Sequence, residues 1–234
     1  MKTKWFFSAL LLSAFVLVWI VKAAEDTPAS PKEAQAAQSE PASIRLPEPQ
    51  TTGGKPLMEV LKERKTSRAF SSEKLPLKVL SNLLWAAWGV NRENGKRTAP
   101  SAMNNQEIDV YVAMADGLYR YDASEHTLAA VGQEDIRAAT GLQRFVGDAP
   151  VNLVFVADYE KTGTMSAEQK AFYSAADAGY ISQNVYLYCA SEELATVVRG
   201  MVDRPACHEA MKLTPNKKIV LAQTVGYPVK SSEQ

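Results

Sequence analysis

Residues 62 to 70, KERKTSRAF, crowd Lys62, Arg64, Lys65 and Arg68 around Thr66 and Ser67. Two guanidinium forks with hydroxyls between them suit a dianionic phosphate, through charge-assisted bidentate bonds supplemented by neutral donors. The same cations at the end of a helix also meet the negative end of its dipole, a role that needs no ligand. A second polar stretch, APSAMNNQ, sets Pro100, Ser101 and Ala102 ahead of the carboxamides Asn104, Asn105 and Gln106. Carboxamides pair a donor with an acceptor and fit the edge of a flat heterocycle. Pro, Ser and Asn are equally the material of plain turns. A third stretch, VVRGMVD, contains Arg199 and Gly200, and a glycine lets backbone come close to a ligand.

Other chemistries find little material. The chain has no Gly-x-Gly-x-x-Gly, no phosphate loop of the Gly-x-x-x-x-Gly-Lys-Ser/Thr type and no Gly-x-Ser-x-Gly. Its two histidines, His126 and His208, are isolated, which leaves neither a Ser-His-Asp set nor, with only Cys189 and Cys207, a zinc site. The cysteines read either as a disulfide of an exported protein or as small buried hydrophobes. Lys+Arg and Asp+Glu balance at 26 each in 234 residues, which argues against nucleic acid or an anionic membrane as the main partner.

Several elements must position these stretches. PLMEVLKERK places Leu57, Val60 and Leu61 on one face of a short helix that ends in the basic cluster. LPLKVLSNLLWAAWGV predicts a helix opened by Pro76 and closed by Gly89. IDVYVAMADGLYRYD alternates on both sides of Asp116-Gly117 and predicts a hairpin, with HTLAAVG as a third strand. EDIRAATGLQRFVGDAP predicts helical turns broken by Gly141, and VNLVFVAD a central buried strand. Residues 166 to 193 predict a long helix with Ser166 and Gln169 as a capping box; KKIVLAQTVGYP predicts a last strand. The order gives an α+β domain with a mixed or antiparallel sheet flanked by helices.

The N-terminus is organised differently. After MKTK, an uncharged run extends from Trp5 to Val21, followed by small residues around Lys22-Ala23-Ala24. This reads as a signal peptide over residues 1–23, or as an uncleaved anchor formed by residues 5–21. The protein is therefore expected in the periplasm or outside the cell, or anchored to the inner membrane. Residues 24–55, rich in Ala, Pro, Glu and Ser, read as a disordered linker, residues 56–230 as the folded domain, and residues 231–234 as a tail.

Taken in order, these pieces resemble the nitroreductase-like family of FMN-dependent oxidoreductases. Arg64-Lys65-Thr66-Ser67-Arg68-Ala69-Phe70 is similar to the family's opening motif, and Pro100-Ser101-Ala102-Met103-Asn104-Asn105-Gln106 to its Pro-Ser-x-x-Asn-x-Gln loop. Glu107-Ile108 departs from it, standing where Pro and an aromatic residue are usual. The long helix carries Asp177, Gly179, Gln183, Asn184 and Leu187 at the family's spacing, and VGYPVK is similar to its closing segment. The resemblance implies that Arg64, Thr66 and Arg68, with Lys65 on the same turn, hold the FMN phosphate and ribityl end. It implies that Asn104 meets the flavin ring, within a loop that also brings Pro100, Ser101, Ala102 and Gln106. Backbone N–H groups of Arg199 and Gly200 are expected near flavin N5 and O4, and Lys230 as a last phosphate contact. No side chain is implied as a general acid.

The family is an interlocked homodimer with the flavin between subunits, and turnover is ping-pong hydride transfer to a small acceptor. The insert YVAMADGLYRYDASEHTL looks most like the azoline-oxidising branch. Met165-Ser166 stands where that branch has a Lys-Tyr pair, so azoline oxidation itself is not expected. Export makes a nicotinamide donor scarce, which leaves two other possibilities open: an exported flavin- or ligand-binding protein without turnover, and a membrane-tethered structural partner.

Overall fold

A computed structural model of the protein describes residues 43 to 229. In chain order its elements are β1 (Ile44–Arg45), α1 (Leu57–Glu63), α2 (Leu77–Trp88), β2 (Ile108–Met114), β3 (Gly117–Asp122) and β4 (Thr127–Gly132). These are followed by α3 (Phe145–Asp148), β5 (Val151–Asp158), α4 (Ala167–Ser191), β6 (Ala195–Arg199), α5 (Arg204–Ala210) and β7 (Lys217–Gly226). The seven strands form one sheet in the order β1-β4-β3-β2-β5-β7-β6, and every pairing is antiparallel.

The strand pattern explains the layering. β5 is buried on both faces, as its unbroken apolar run demands, and pairs with β2 on one side and β7 on the other. On one face α2 and α4 cover Ile108, Val110, Val112, Leu153 and Phe155. α2 contributes Leu80, Leu83, Leu84, Ala87 and Trp88, a stripe at helical spacing that stops at Gly89. α4 contributes Ala178, Ile181, Val185 and Cys189. Its start is fixed by the expected capping box, Ser166 Oγ accepting from Gln169 N–H at 3.2 Å and Gln169 Oε1 from Ser166 N–H at 3.0 Å. The opposite face packs Val154, Val156 and Ala222 against Cys207 and Met211. Cys189 and Cys207 are free and buried, one in each core cluster.

Three elements escape the sequence pattern: β6, α5 and β1. α1 forms where its periodicity predicts, yet only Val60 is buried, while Leu57 and Leu61 remain exposed.

The largest difference concerns the expected linker. Its last part, residues 43–55, is built into the fold. β1 pairs with β4, and Leu46 is buried in the main core. His126 reaches both Ser81 Oγ (2.8 Å) and Pro47 O (3.1 Å) through Nε2, and Tyr121 Oη through Nδ1 (2.9 Å). Gln50 N–H donates to Asn82 Oδ1 at 2.8 Å, and Lys55 N–H to Ser191 Oγ at 3.0 Å. The segment is a strap across α2 toward the end of α4. Its composition hid this because two alternating apolar residues, Ile44 and Leu46, carry the burial. The proposed signal or anchor, most of the linker and the tail lie outside the described residues.

A chain beginning at residue 56 is therefore expected to melt well below one beginning at residue 43. Losing the burial of Leu46 costs about 2 kcal/mol and each strap hydrogen bond about 1 kcal/mol. Equal thermal midpoints for the two chains would show the strap to be dispensable.

Candidate functional site

The basic cluster begins at the C-terminus of α1, where Arg64 N–H still bonds Val60 O at 2.8 Å, and continues as extended backbone. This backbone runs beside the edge strand β6: Ser67 N–H donates to Thr196 O at 3.0 Å, and Phe70 bridges Pro228. The cluster thus shields one side of an otherwise open sheet edge. Tyr186 of α4 holds it there. The phenol oxygen accepts from Val198 N–H at 3.0 Å and is hydrogen-bonded to Thr66 Oγ1 at 3.0 Å, while the Arg64 guanidinium lies 5.3 Å from the ring centroid. Arg68 is exposed, and among the described residues neither Arg64 nor Arg68 pairs with a carboxylate. Lys65 and Ser67 line a neighbouring cavity of about 560 Å³, together with Lys55, Glu63 and Glu193.

The Asn104 loop is a tightly wound turn. Asn104 N–H bonds Ser101 O at 3.0 Å, and Gln106 N–H bonds Ser101 Oγ at 3.0 Å. Met103, Asn104 and Gln106 have φ of 51°, 55° and 49°, a region that non-glycine residues rarely enter. Outside contacts hold this shape. Arg97 Nε donates to Gln106 Oε1 at 2.8 Å, and Gln106 Nε2 donates to Gly95 O (3.1 Å) and Asn104 Oδ1 (3.2 Å). Arg97 is itself held by Trp88 O at 3.2 Å and lies over the Trp88 ring; burial lowers its pKa. From α4, Asp177 Oδ2 accepts from Ala102 N–H at 2.8 Å. Gln106 therefore braces the loop from behind, while Asn104 and Met103 (73% exposed) face outward.

Gly200 follows the last residue of β6; it is exposed, a Cβ placed on it would stand in open space, and its carbonyl accepts from Val202 N–H (3.0 Å) and Arg204 Nη1 (3.3 Å). Arg199 behaves differently from a surface cation. It is 4% exposed, and its guanidinium donates to Thr140 O (2.8 Å), Asn152 Oδ1 (3.2 Å) and Thr224 Oγ1 (3.2 Å). Burial without a carboxylate among these partners pushes its pKa down to about 10. Gly141 makes room for it, since a Cβ there would run into Nη1. The Arg199 side chain is therefore not free for a ligand, and it pins the segment leading into α3. Lys230 lies outside the described residues.

Sequence reasoning missed Tyr186, Arg97 and the bonding role of Asp177. Asp177 and Tyr186 sit in the buried stripe of α4, where polar residues carry no spacing signal of their own.

With this geometry in view, comparison with known proteins is decisive on the family. The model of the Nitroreductase family matches residues 61–227, from the basic cluster to the end of β7. The chain belongs to the nitroreductase family. A candidate nitroreductase of Methanocaldococcus jannaschii is 32% identical over 167 residues, 67% of this chain and 84% of the relative. The crystal structure of a candidate nitroreductase from Ralstonia eutropha JMP134 superposes with a TM-score of 0.77 at 48% identity, covering 80% of this chain and 90% of that one. A candidate nitroreductase from Desulfovibrio desulfuricans, solved in complex with FMN, shares the fold at a TM-score of 0.55 and 23% identity, covering 78% of this chain and 92% of that one. The Arg64–Arg68 segment, the Asn104 loop and strands β2 to β7 all lie within the residues matched by the nitroreductase family. The 43–55 strap lies ahead of the matched residues.

Replacing Tyr186 with Phe removes the acceptor of Val198 N–H and the partner of Thr66 without changing packing volume. The expected loss is about 1–3 kcal/mol of stability, measured by urea unfolding. A change within error would mean that water replaces the hydroxyl.

Proposed function

We propose that this nitroreductase-family protein is an exported FMN-dependent oxidoreductase that passes hydride to a small acceptor. One observation carries the reading: among the described residues Arg64 and Arg68 have no acidic partner, and the Thr66 hydroxyl between them in sequence is hydrogen-bonded to Tyr186, whose ring carries Arg64. Two arginines without a carboxylate partner among the described residues, on a braced backbone, suit a dianion from outside. The FMN-bound Desulfovibrio desulfuricans relative supports the choice of dianion.

The residues present fit FMN at three points. Arg64, Thr66 and Arg68 suit its phosphate, with Lys65 and Lys230 as additional positive charge. The outward carboxamide of Asn104 suits the polar edge of the ring, on a loop that Pro100, Ser101, Ala102 and Gln106 hold in shape. The main chain at the exposed Gly200 suits N5 and O4. When bound, FMN supplies the redox chemistry, taking hydride from a donor and giving it to the acceptor in ping-pong order. The chain's own part is to bind, orient and exclude water, and no side chain is assigned as a catalytic acid or base.

A second copy of the chain completes the reading as a homodimer. Leu57, Met58 and Leu61 on α1, and Phe172, Tyr173 and Tyr180 on α4, leave apolar surface exposed beside the proposed site. Gly179, Gln183 and Leu187 lie on the outer part of the same helix. Native mass spectrometry of the exported protein reads both points at once. Twice the mass of a chain beginning at Ala24 is expected; a monomer or an uncleaved chain would remove that part of the reading.

FMN titration of the purified protein tests the cofactor. Arg64→Ala and Arg68→Ala should each weaken binding by about 1.5–3 kcal/mol, or roughly tenfold or more in Kd. Unaltered flavin absorbance and fluorescence on titration would sink the proposal. Bleaching of bound flavin by anaerobic NAD(P)H would support turnover, whereas binding without reduction by any donor would favour a non-catalytic flavin carrier.

A further inference from the structure

Glu107 has no part in the site described above, yet it follows directly on Gln106. It is 1% exposed, and its main chain is fixed by Asp158 N–H donating to its carbonyl at 2.8 Å. No donor among the described residues reaches either carboxyl oxygen within hydrogen-bond geometry, although the buried Ser174 hydroxyl and the Asp177 carboxyl lie close enough to interact with it. Asp177, 2% exposed, approaches the same spot from α4 while accepting Ala102 N–H.

Two carboxylates in so dry a place cannot both be ionised. Burial raises the pKa of both, and the charge of Asp177 raises Glu107 further. Asp177 has the better claim to the negative charge because it already accepts a backbone N–H. The remaining proton belongs on Glu107, which then becomes a donor.

We propose that Glu107 is a positioning residue: it keeps a proton in the core and directs it at Asp177, the carboxylate that holds the Asn104 loop through Ala102. The positioning role rests on reading that loop as the ring side of an FMN site.

The titratable groups facing Glu107 are Asp177 on α4 and Tyr159 after β5. Lys170 lies over the Tyr159 ring, 5.8 Å from its centroid. Nearby Asp109 and Asp158 are paired with Lys161 and Lys217, and Arg97 is held by Gln106 and Trp88. The sign of the pH effect follows from these directions. A carboxyl whose folded pKa lies above its unfolded value gives stability that is full at low pH. That stability is lost as pH rises through the folded value.

The test compares the wild-type protein with Glu107→Gln, which keeps a donor but cannot ionise, and with Asp177→Asn, which leaves Glu107 without a charged neighbour. Thermal midpoints are measured from about pH 4 to about pH 9, starting at the ordinary carboxylate value, where this stability is still full. The wild type should lose several degrees relative to both variants as pH rises; parallel curves would overturn the proposal. FMN dissociation constants are measured over the same range. The wild type should weaken roughly tenfold more than Glu107→Gln, equivalent to about one pH unit of linkage. Titration of the FMN phosphate cancels in this ratio. Diverging melting curves with a constant ratio of affinities would confine Glu107 to fold stability and overturn its positioning role. Failure of the wild type to bind FMN at any pH would overturn the flavin reading and with it that role, while the melting curves still decide where the proton resides.

Discussion

The hydroxyl of Tyr186 is the point on which the candidate site depends. It joins three stretches far apart in sequence: the basic cluster through Thr66, the edge strand β6 through Val198 N–H, and α4 through its own backbone. An edge strand exposes N–H groups that must find acceptors or water. Here one of them is taken by a phenol whose ring also carries Arg64. The orientation of the arginine cluster is therefore a by-product of closing the sheet edge. That coupling lets a seven-residue helix, too short to be stable alone, end in a defined place.

A second constraint comes from the opposite side of the sheet edge. The Arg199 guanidinium sits among neutral acceptors on three other segments, Thr140, Asn152 and Thr224. Removing a charge from water is costly unless its donors are satisfied. Each donor bond is thus worth keeping, and together they lock β6 to the segment around Gly141. Gly200 stands one residue beyond this lock, which gives its main chain a fixed position.

Much of this was legible in the sequence because period and punctuation agreed. The hairpin at Asp116-Gly117, the helix closed by Gly89 and the capping box at Ser166 all formed as their local chemistry dictates. The α+β class followed from their order. What stayed hidden depended on contacts without a local signature. β6 was obscured because it is only five residues long and directly follows the long helix, so that its pairing with β7, not its own pattern, makes it a strand. The strap was obscured because its hydrogen bonds run to His126, Asn82 and Ser191, none of which its composition announces. The chemical types at Arg64, Thr66, Arg68 and Asn104 could be read directly. The burial of the Arg199 side chain could not be read, since only tertiary packing decides whether an arginine faces water or the core.

The turn at Met103, Asn104 and Gln106 stores energy. Three non-glycine residues with positive φ cost on the order of 1–2 kcal/mol each, and Arg97, Gln106 and Asp177 together supply the compensation. The loop is thus shaped when the chain folds, before any partner arrives. A ligand that needs that shape meets it ready-made and loses little conformational entropy on docking. The cost of recognition is moved from the encounter to the melting curve: the protein gives up some stability so that its affinity need not bear the expense of ordering the loop.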